Sequence, residues 1–183
     1  KDALHYNKFA LIRNPFHRLV SVYLDLFDVA IDHFSLGSYC FGILKPGMTF
    51  KAFVNTISDI PDILKGPHIA SQYYILSHSL AIENITCFRL EKDKTALSTF
   101  LMAYGIKLTY RNKQKEPYNF MEFYDKEVLN KVYEMYKQDV TYFGYQQEYE
   151  QLCDFIKADQ ENLIQLYHLL RTDSGKWNLL MLK

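Results

Sequence analysis

The sequence has few residues of the kinds that define disulfide-stapled and metal-binding proteins. It holds only three cysteines in 183 residues, at Cys40, Cys87 and Cys153. They are too far apart for a C-x-x-C metal pair, and an odd number argues against a disulfide framework. We therefore expect buried, reduced thiols and no metal cofactor.

The sequence also lacks net charge, long apolar runs and a glycine-rich phosphate loop. Its 21 basic and 21 acidic residues cancel, so the global basic field that attracts nucleic acid is absent, and no nucleic-acid partner is expected. No apolar run approaches the roughly 20 residues that a helix needs to cross a bilayer, so we expect no membrane segment in this chain. The consensus G-x-x-x-x-G-K-[ST] does not occur.

What is present fits one folded domain spanning residues 1–183. Apolar residues make up 49% of the chain and aromatic residues 16%, enough for a sizeable core. Short apolar runs at 9–12 and 82–90 predict two buried strands. Because strands alternate with helices, the sequence predicts an α/β fold in which helices flank both faces of one parallel sheet, giving three layers.

Helices are predicted wherever apolar residues recur on one face. Asn14 and Pro15 suit the cap and first position of a helix that follows the first strand. Asp125 caps another, which Gly144 ends, and residues 68–80 are helical or irregular. The other predicted helices cover residues 50–57, 97–104 and 146–170.

The segment 8–23 carries the strongest functional signal. Arg13 lies where the first strand ends and a helix begins, the point at which open α/β sheets bind ligands. The free N–H groups of the first helical turn favour an anion, and a guanidinium suits phosphate. Ser21 lies about two turns along the helix, on its polar side with Arg18. Arg13 and Ser21 could bind one phosphate from two sides, or they could be solvated surface residues.

This segment, R-N-P-F-x-R-L-V-S-x-Y, resembles the 3′-phosphate-binding motif of sulfotransferases that use 3′-phosphoadenosine 5′-phosphosulfate (PAPS). The resemblance is closest to the branch that includes Golgi carbohydrate sulfotransferases and their bacterial relatives. In that family the first Arg and the Ser hold the 3′-phosphate of the donor. The resemblance therefore implies that Arg13 and Ser21 bind PAPS and its product PAP, which lacks the sulfate.

Three later segments resemble the same family in the same order. Residues 68–72 match H-x-x-x-Q, residues 88–91 match a strand ending in R-x-E, and residues 133–145 contain Y-x-x-D-x-x-x-F-G-Y. The resemblance covers about 8–145 and leaves 146–183 as a C-terminal helical extension. It implies a P-loop-NTPase-like sulfotransferase fold.

The family's 5′-phosphosulfate loop should precede residue 8, where only seven residues stand. Either the N-terminal part of the fold is missing from this chain, which is the alternative we expect, or the protein binds the donor incompletely. We also expect the 183 residues by themselves to bind PAP without transferring sulfate. The resemblance implies the cytoplasm for a bacterial protein, and the Golgi lumen for a eukaryotic one whose N-terminal anchor is missing.

The expected reaction moves a sulfuryl group from PAPS to a hydroxyl of a glycan or a small acceptor. The catalytic base is not identified. His68 is the best single candidate, because it follows a Gly-Pro turn and lies in a matched segment, although a solvated or structural role is the alternative. Glu91 could accept bonds from a sugar hydroxyl or cap the next helix. The basic loop 111–115 could close over the donor phosphates or remain an exposed loop.

Two other kinds of function stay open at the level of sequence. One is a nucleotide-dependent phosphotransferase, disfavoured by the lack of a [ST] and Asp pair for magnesium. The other is a non-catalytic module that binds PAP or PAPS, or that binds a partner through the helix at 146–170. The sequence does not predict an oligomeric state.

Overall fold

The computed structural model describes residues 7–27, 42–79, 82–107 and 118–172, with side chains up to residue 166. These ranges contain two strands, six α-helices and several short 3₁₀ turns. In chain order they are β1 (Lys8–Ile12), α1 (Pro15–Phe27), α2 (Phe50–Ser58), α3 (Gln72–Ser79), β2 (Ile85–Arg89), α4 (Lys94–Met102), α5 (Lys126–Phe143) and α6 (Gln146–Thr172).

β1 and β2 form a parallel pair, in which Lys8 lies opposite Ile85 and Ile12 opposite Arg89. The prediction that both apolar runs share one parallel sheet is therefore confirmed. The second strand begins later than predicted, because Ile82–Asn84 form a 3₁₀ turn. Among the described residues the sheet has these two strands; a three-layer arrangement around a larger sheet stays a prediction.

The two faces of the sheet differ in burial, so the prediction that β1 is a buried strand holds for only one of its faces. Ala10 and Ile12 face the main core, whereas Phe9 and Leu11 are 41% and 44% exposed. On that second face α4 covers β2, where Phe88 packs against the helix. Because α4 lies over β2, it shields β1 only at its margin, through contact between Phe9 and Phe100.

The main core lies between β1, α1, α2 and α5, and the first half of α6 extends it. Each of these helices turns an apolar stripe inward, as the sequence predicts. The innermost side chains of the core are Ile12, Phe16, Leu19, Val20, Phe53, Val54, Ile57, Ile69, Val128, Val132, Tyr136, Val140, Tyr145 and Leu152. The two cysteines in the described ranges, Cys87 and Cys153, are partly buried free thiols rather than fully buried ones.

The helix ends beside the sheet follow the predicted caps. The side chain of Asn14 accepts hydrogen bonds from the N–H groups of Phe16 and His17, so Asn14 caps α1. Asp125 caps α5 in the same way, and Gly144 ends that helix in a left-handed conformation with φ of 71°. These caps fix where β1 stops and where the last turn of α5 lies.

α6 confirms the predicted C-terminal helix and extends to Thr172. Leu152 and Ile156 pack into the core, but residues 157–166 are all exposed. None of the helices described here is long and apolar enough to cross a membrane.

Candidate functional site

Arg13 and Ser21 lie side by side where β1 gives way to α1. The Nη2 atom of Arg13 donates a hydrogen bond of 3.1 Å to Ser21 Oγ. Ser21 is only 8% exposed, so it is an enclosed residue rather than one on a solvated helix face. The structure thus brings together the two residues that the sequence pairs, and their role towards a phosphate stays a prediction.

Tyr118 is a third member of this cluster. Its hydroxyl lies 2.8 Å from Ser21 Oγ, and its ring packs against that of His17, which also packs against Phe120. Burial, and then the positive charge of Arg13, lower the pKa of His17 below its ordinary value, while Glu91 acts in the opposite sense. Sequence reasoning missed Tyr118, because it lies 97 positions after Ser21 and no local pattern marks it.

The first turn of α1 differs from expectation. Two of its N–H groups, on Phe16 and His17, already donate to Asn14, and Pro15 has no N–H to offer. The helix terminus is therefore satisfied by its own cap, and an anion at this point would depend on the side chains of Arg13, Ser21 and Tyr118.

Gln72, the first residue of α3, clamps the backbone of Arg13. Its Oε1 accepts the Arg13 N–H at 2.9 Å, and its Nε2 donates to the Arg13 carbonyl at 2.8 Å. The matched segment H-x-x-x-Q thus reaches the site through its glutamine.

Asp139, on α5, holds the start of α3 in turn. It is fully buried, and its carboxylate accepts from Ser71 Oγ at 2.7 Å and from the N–H groups of Gln72 and Tyr73 at 3.0 and 2.7 Å. The Nε2 of Gln72 approaches the same carboxylate at 3.3 Å. These bonds satisfy the buried charge with donors from another element.

Glu91 fixes the other half of the turn. One carboxylate oxygen accepts the Asn14 N–H at 3.0 Å and the other accepts the Tyr145 hydroxyl at 3.1 Å. Burial, and then the negative charge of Glu91, raise the pKa of Tyr145. Of the two roles expected for Glu91, capping of the next helix is not observed: Asp93 stands at the cap position of α4, and its carboxylate bonds Arg89 rather than the helix. Contact with an acceptor hydroxyl stays a prediction.

Arg18 is not a free surface cation. Its guanidinium donates to the carbonyls of Ala70 and Pro67 at 3.0 and 2.8 Å. These two residues flank a turn in which His68 is exposed and Ile69 is buried, so α1 fixes that turn. The catalytic role considered for His68 remains a hypothesis.

Some candidates lie outside what is described. The basic loop 111–115 is one of them. Within the described ranges, no cluster of His, Cys, Asp and Glu has the arrangement of a metal site.

The cluster has the chemistry of an anion site. Arg13 carries a permanent charge and a planar fork of donors, and the hydroxyls of Ser21 and Tyr118 can rotate to donate as well. In the structure these groups bond to one another. A tetrahedral oxyanion could replace these mutual bonds with charge-assisted ones, which are stronger.

Comparison with known proteins identifies the class of the chain. The model of the sulfotransferase family matches residues 1–146. The chain therefore belongs to the sulfotransferase family, a family of enzymes that transfer sulfuryl groups. No curated protein and no solved structure is significantly similar to it. The four segments singled out in the sequence all contribute to the turn at Arg13 and Asn14.

Proposed function

We propose that this protein binds PAPS by its 3′-phosphate, through Arg13 and Ser21, and transfers the sulfuryl group to a hydroxyl of a glycan or a small acceptor. The observation that carries the proposal is the 3.1 Å contact between Arg13 Nη2 and Ser21 Oγ at the end of β1. Residues eight positions apart converge there on one point beside a helix terminus. Membership of the sulfotransferase family supports the reaction class.

The 3′-phosphate lies away from the sulfate that is transferred, and its binding positions the donor. Hydrogen bonds to charged groups each contribute on the order of 1.5–3 kcal/mol. The guanidinium of Arg13 supplies charge and a fixed geometry, whereas Ser21 supplies one hydroxyl whose direction is set by its place on α1. Tyr118 is placed to donate a third bond, since its hydroxyl already lies 2.8 Å from Ser21 Oγ.

The transfer itself is a displacement at sulfur. The acceptor oxygen forms a bond to sulfur, the bond from sulfur to the 5′-phosphate oxygen breaks, and PAP leaves with that electron pair. The acceptor proton passes to a base, for which His68 is the candidate. Charge that develops on the leaving phosphate requires preorganised donors at the 5′ side.

Calorimetric titration with PAP tests the donor site. Arg13→Ala and Ser21→Ala should each weaken binding about tenfold or more. Lys157→Ala is a matched control, because it removes an exposed cation from α6 and should leave the affinity unchanged. A folded Arg13→Ala variant that binds PAP like the wild type would contradict the proposal.

Radiolabelled PAPS and a panel of hydroxyl acceptors test the transfer step. In an assay of the native protein, label that appears in an acceptor, and disappears with Arg13→Ala, supports the enzyme, whereas the 183 residues by themselves are expected to give none. If PAP binds but no acceptor is labelled, a mass spectrum of the native protein separates the alternatives. A further N-terminal segment with a Lys-bearing phosphate loop would favour the enzyme, and its absence would favour a non-catalytic PAP-binding module.

A further inference from the structure

We propose that Gln72 and Asp139 are positioning residues, which act through the backbone of Arg13 to aim its guanidinium at the bound phosphate. The inference rests on the proposed function, because it assigns a role to residues that do not themselves contact the donor. Arg13 lies in an irregular turn, so the direction of its side chain must be fixed by contacts from other elements.

Arg13 lies between two regular elements. The carbonyl of Ile12 still takes part in the pairing with β2, through the N–H of Leu90, and the carbonyl of Asn14 already starts α1, through the N–H of Arg18. The N–H and the carbonyl of Arg13 itself both bond to the side-chain amide of Gln72, at 2.9 and 2.8 Å. One side chain therefore sets the orientation of the Arg13 peptide groups, and with it the direction of the Cα–Cβ bond.

Asp139 determines which way the Gln72 amide faces. A glutamine amide has a donor end and an acceptor end, and only one orientation pairs with both the N–H and the carbonyl of Arg13. The carboxylate of Asp139 accepts hydrogen bonds only, and it lies 3.3 Å from Gln72 Nε2. It therefore favours the orientation in which Nε2 faces inward and Oε1 is left for the Arg13 N–H. The bond from the Gln72 N–H to Asp139 fixes the backbone of the same residue.

The need to cap α3 does not by itself explain why the charged residue Asp139 is buried beside the start of that helix. α3 has eight residues, and the Ser71 hydroxyl already accepts the N–H of Tyr74 in its first turn. Burying a carboxylate completely is costly even when it is well bonded. What Asp139 adds is a fixed orientation for Gln72, and that orientation is passed on to Arg13.

The test uses Gln72→Met, which keeps the length of the side chain and removes its bonds to Arg13. Gln160→Met, on the exposed part of α6, is the matched control. Affinity for PAP is measured for each variant, and for Gln72→Met in an Arg13→Ala background. Amide hydrogen exchange is measured at Arg13 and at Asn14, whose N–H is held by Glu91 instead.

We expect Gln72→Met to weaken PAP binding about two- to twelvefold, the range set by loss of a neutral hydrogen bond, with no further loss when Arg13 is already Ala. The Arg13 amide should exchange faster while the Asn14 amide does not. A structural role alone would weaken binding in both backgrounds and accelerate both amides. Unchanged PAP affinity in folded Gln72→Met, or an equal loss in the Arg13→Ala background, would overturn the inference.

Gln72→Glu gives a second test if Gln72→Met does not fold. It keeps an acceptor for the Arg13 N–H but places a carboxylate against the Arg13 carbonyl and Asp139. We again expect weaker PAP binding that depends on Arg13, with faster amide exchange at Arg13 but not at Asn14. Failure of the proposed function has a different signature, since Arg13→Ala would then bind PAP as tightly as the wild type.

Discussion

Replacement of Asp139 by alanine should destabilise the fold severely. Its carboxylate is fully buried and accepts from Ser71 Oγ and from the backbone N–H groups of Gln72 and Tyr73. Alanine would leave these three donors without a partner, in a site that a methyl group does not fill. A buried donor left unsatisfied typically costs about 1–3 kcal/mol, so the loss of all three bonds would remove much of the total stability of about 5–15 kcal/mol of a domain.

Urea unfolding followed by circular dichroism measures this loss. The matched control is Asp154→Ala, which is the same substitution at an exposed position on α6. It should alter the free energy of unfolding by no more than about 0.5 kcal/mol. Two variants of equal stability would refute the reasoning, since they would show that the bonds to Asp139 contribute nothing net to the fold.

Two further predictions concern the end of α5 and the pH dependence of the site. Gly144→Ala should cost about 1–2 kcal/mol in thermal or urea unfolding, because φ is 71° and L-residues are strained there; an added Cβ would meet Arg89 only at ordinary contact distance. The lowered pKa of His17 means that the unfolded chain takes up a proton near pH 6.5 before the folded chain does, so stability should fall as the pH drops below that value, and His17→Gln should reduce this loss. Because Arg13 contributes to that shift, bound PAP should raise the pKa of His17 in an NMR titration, and an unchanged pKa would count against a phosphate beside Arg13.

The elements of this fold could be predicted because their signals are local. The Asn-Pro start of α1, the Asp125 cap of α5 and the Gly144 stop depend on residues within a few positions of one another. The apolar run at 9–12 identified β1 but overstated its burial, since hydropathy cannot tell which face of a strand the neighbouring helices cover.

The candidate site could be predicted only in part. Arg13 and Ser21 lie on one continuous strand-turn-helix unit, so their spacing in the sequence is enough to predict that they lie close together. The contacts of Gln72 with Arg13 and of Asp139 with Gln72 join residues 59 and 67 positions apart, and no periodicity in a single sequence encodes such pairings. Family resemblance marked the segments that hold these residues, but it did not show that they meet at one turn.

The central claim is that Arg13 and Ser21 bind the 3′-phosphate, and a crystal structure with PAP bound tests it most directly. The account predicts the 3′-phosphate oxygens about 3 Å from the Arg13 guanidinium and from Ser21 Oγ, with the Gln72 bonds to the Arg13 backbone intact. PAP bound elsewhere, with Arg13 still donating to Ser21 and no phosphate beside them, would contradict it.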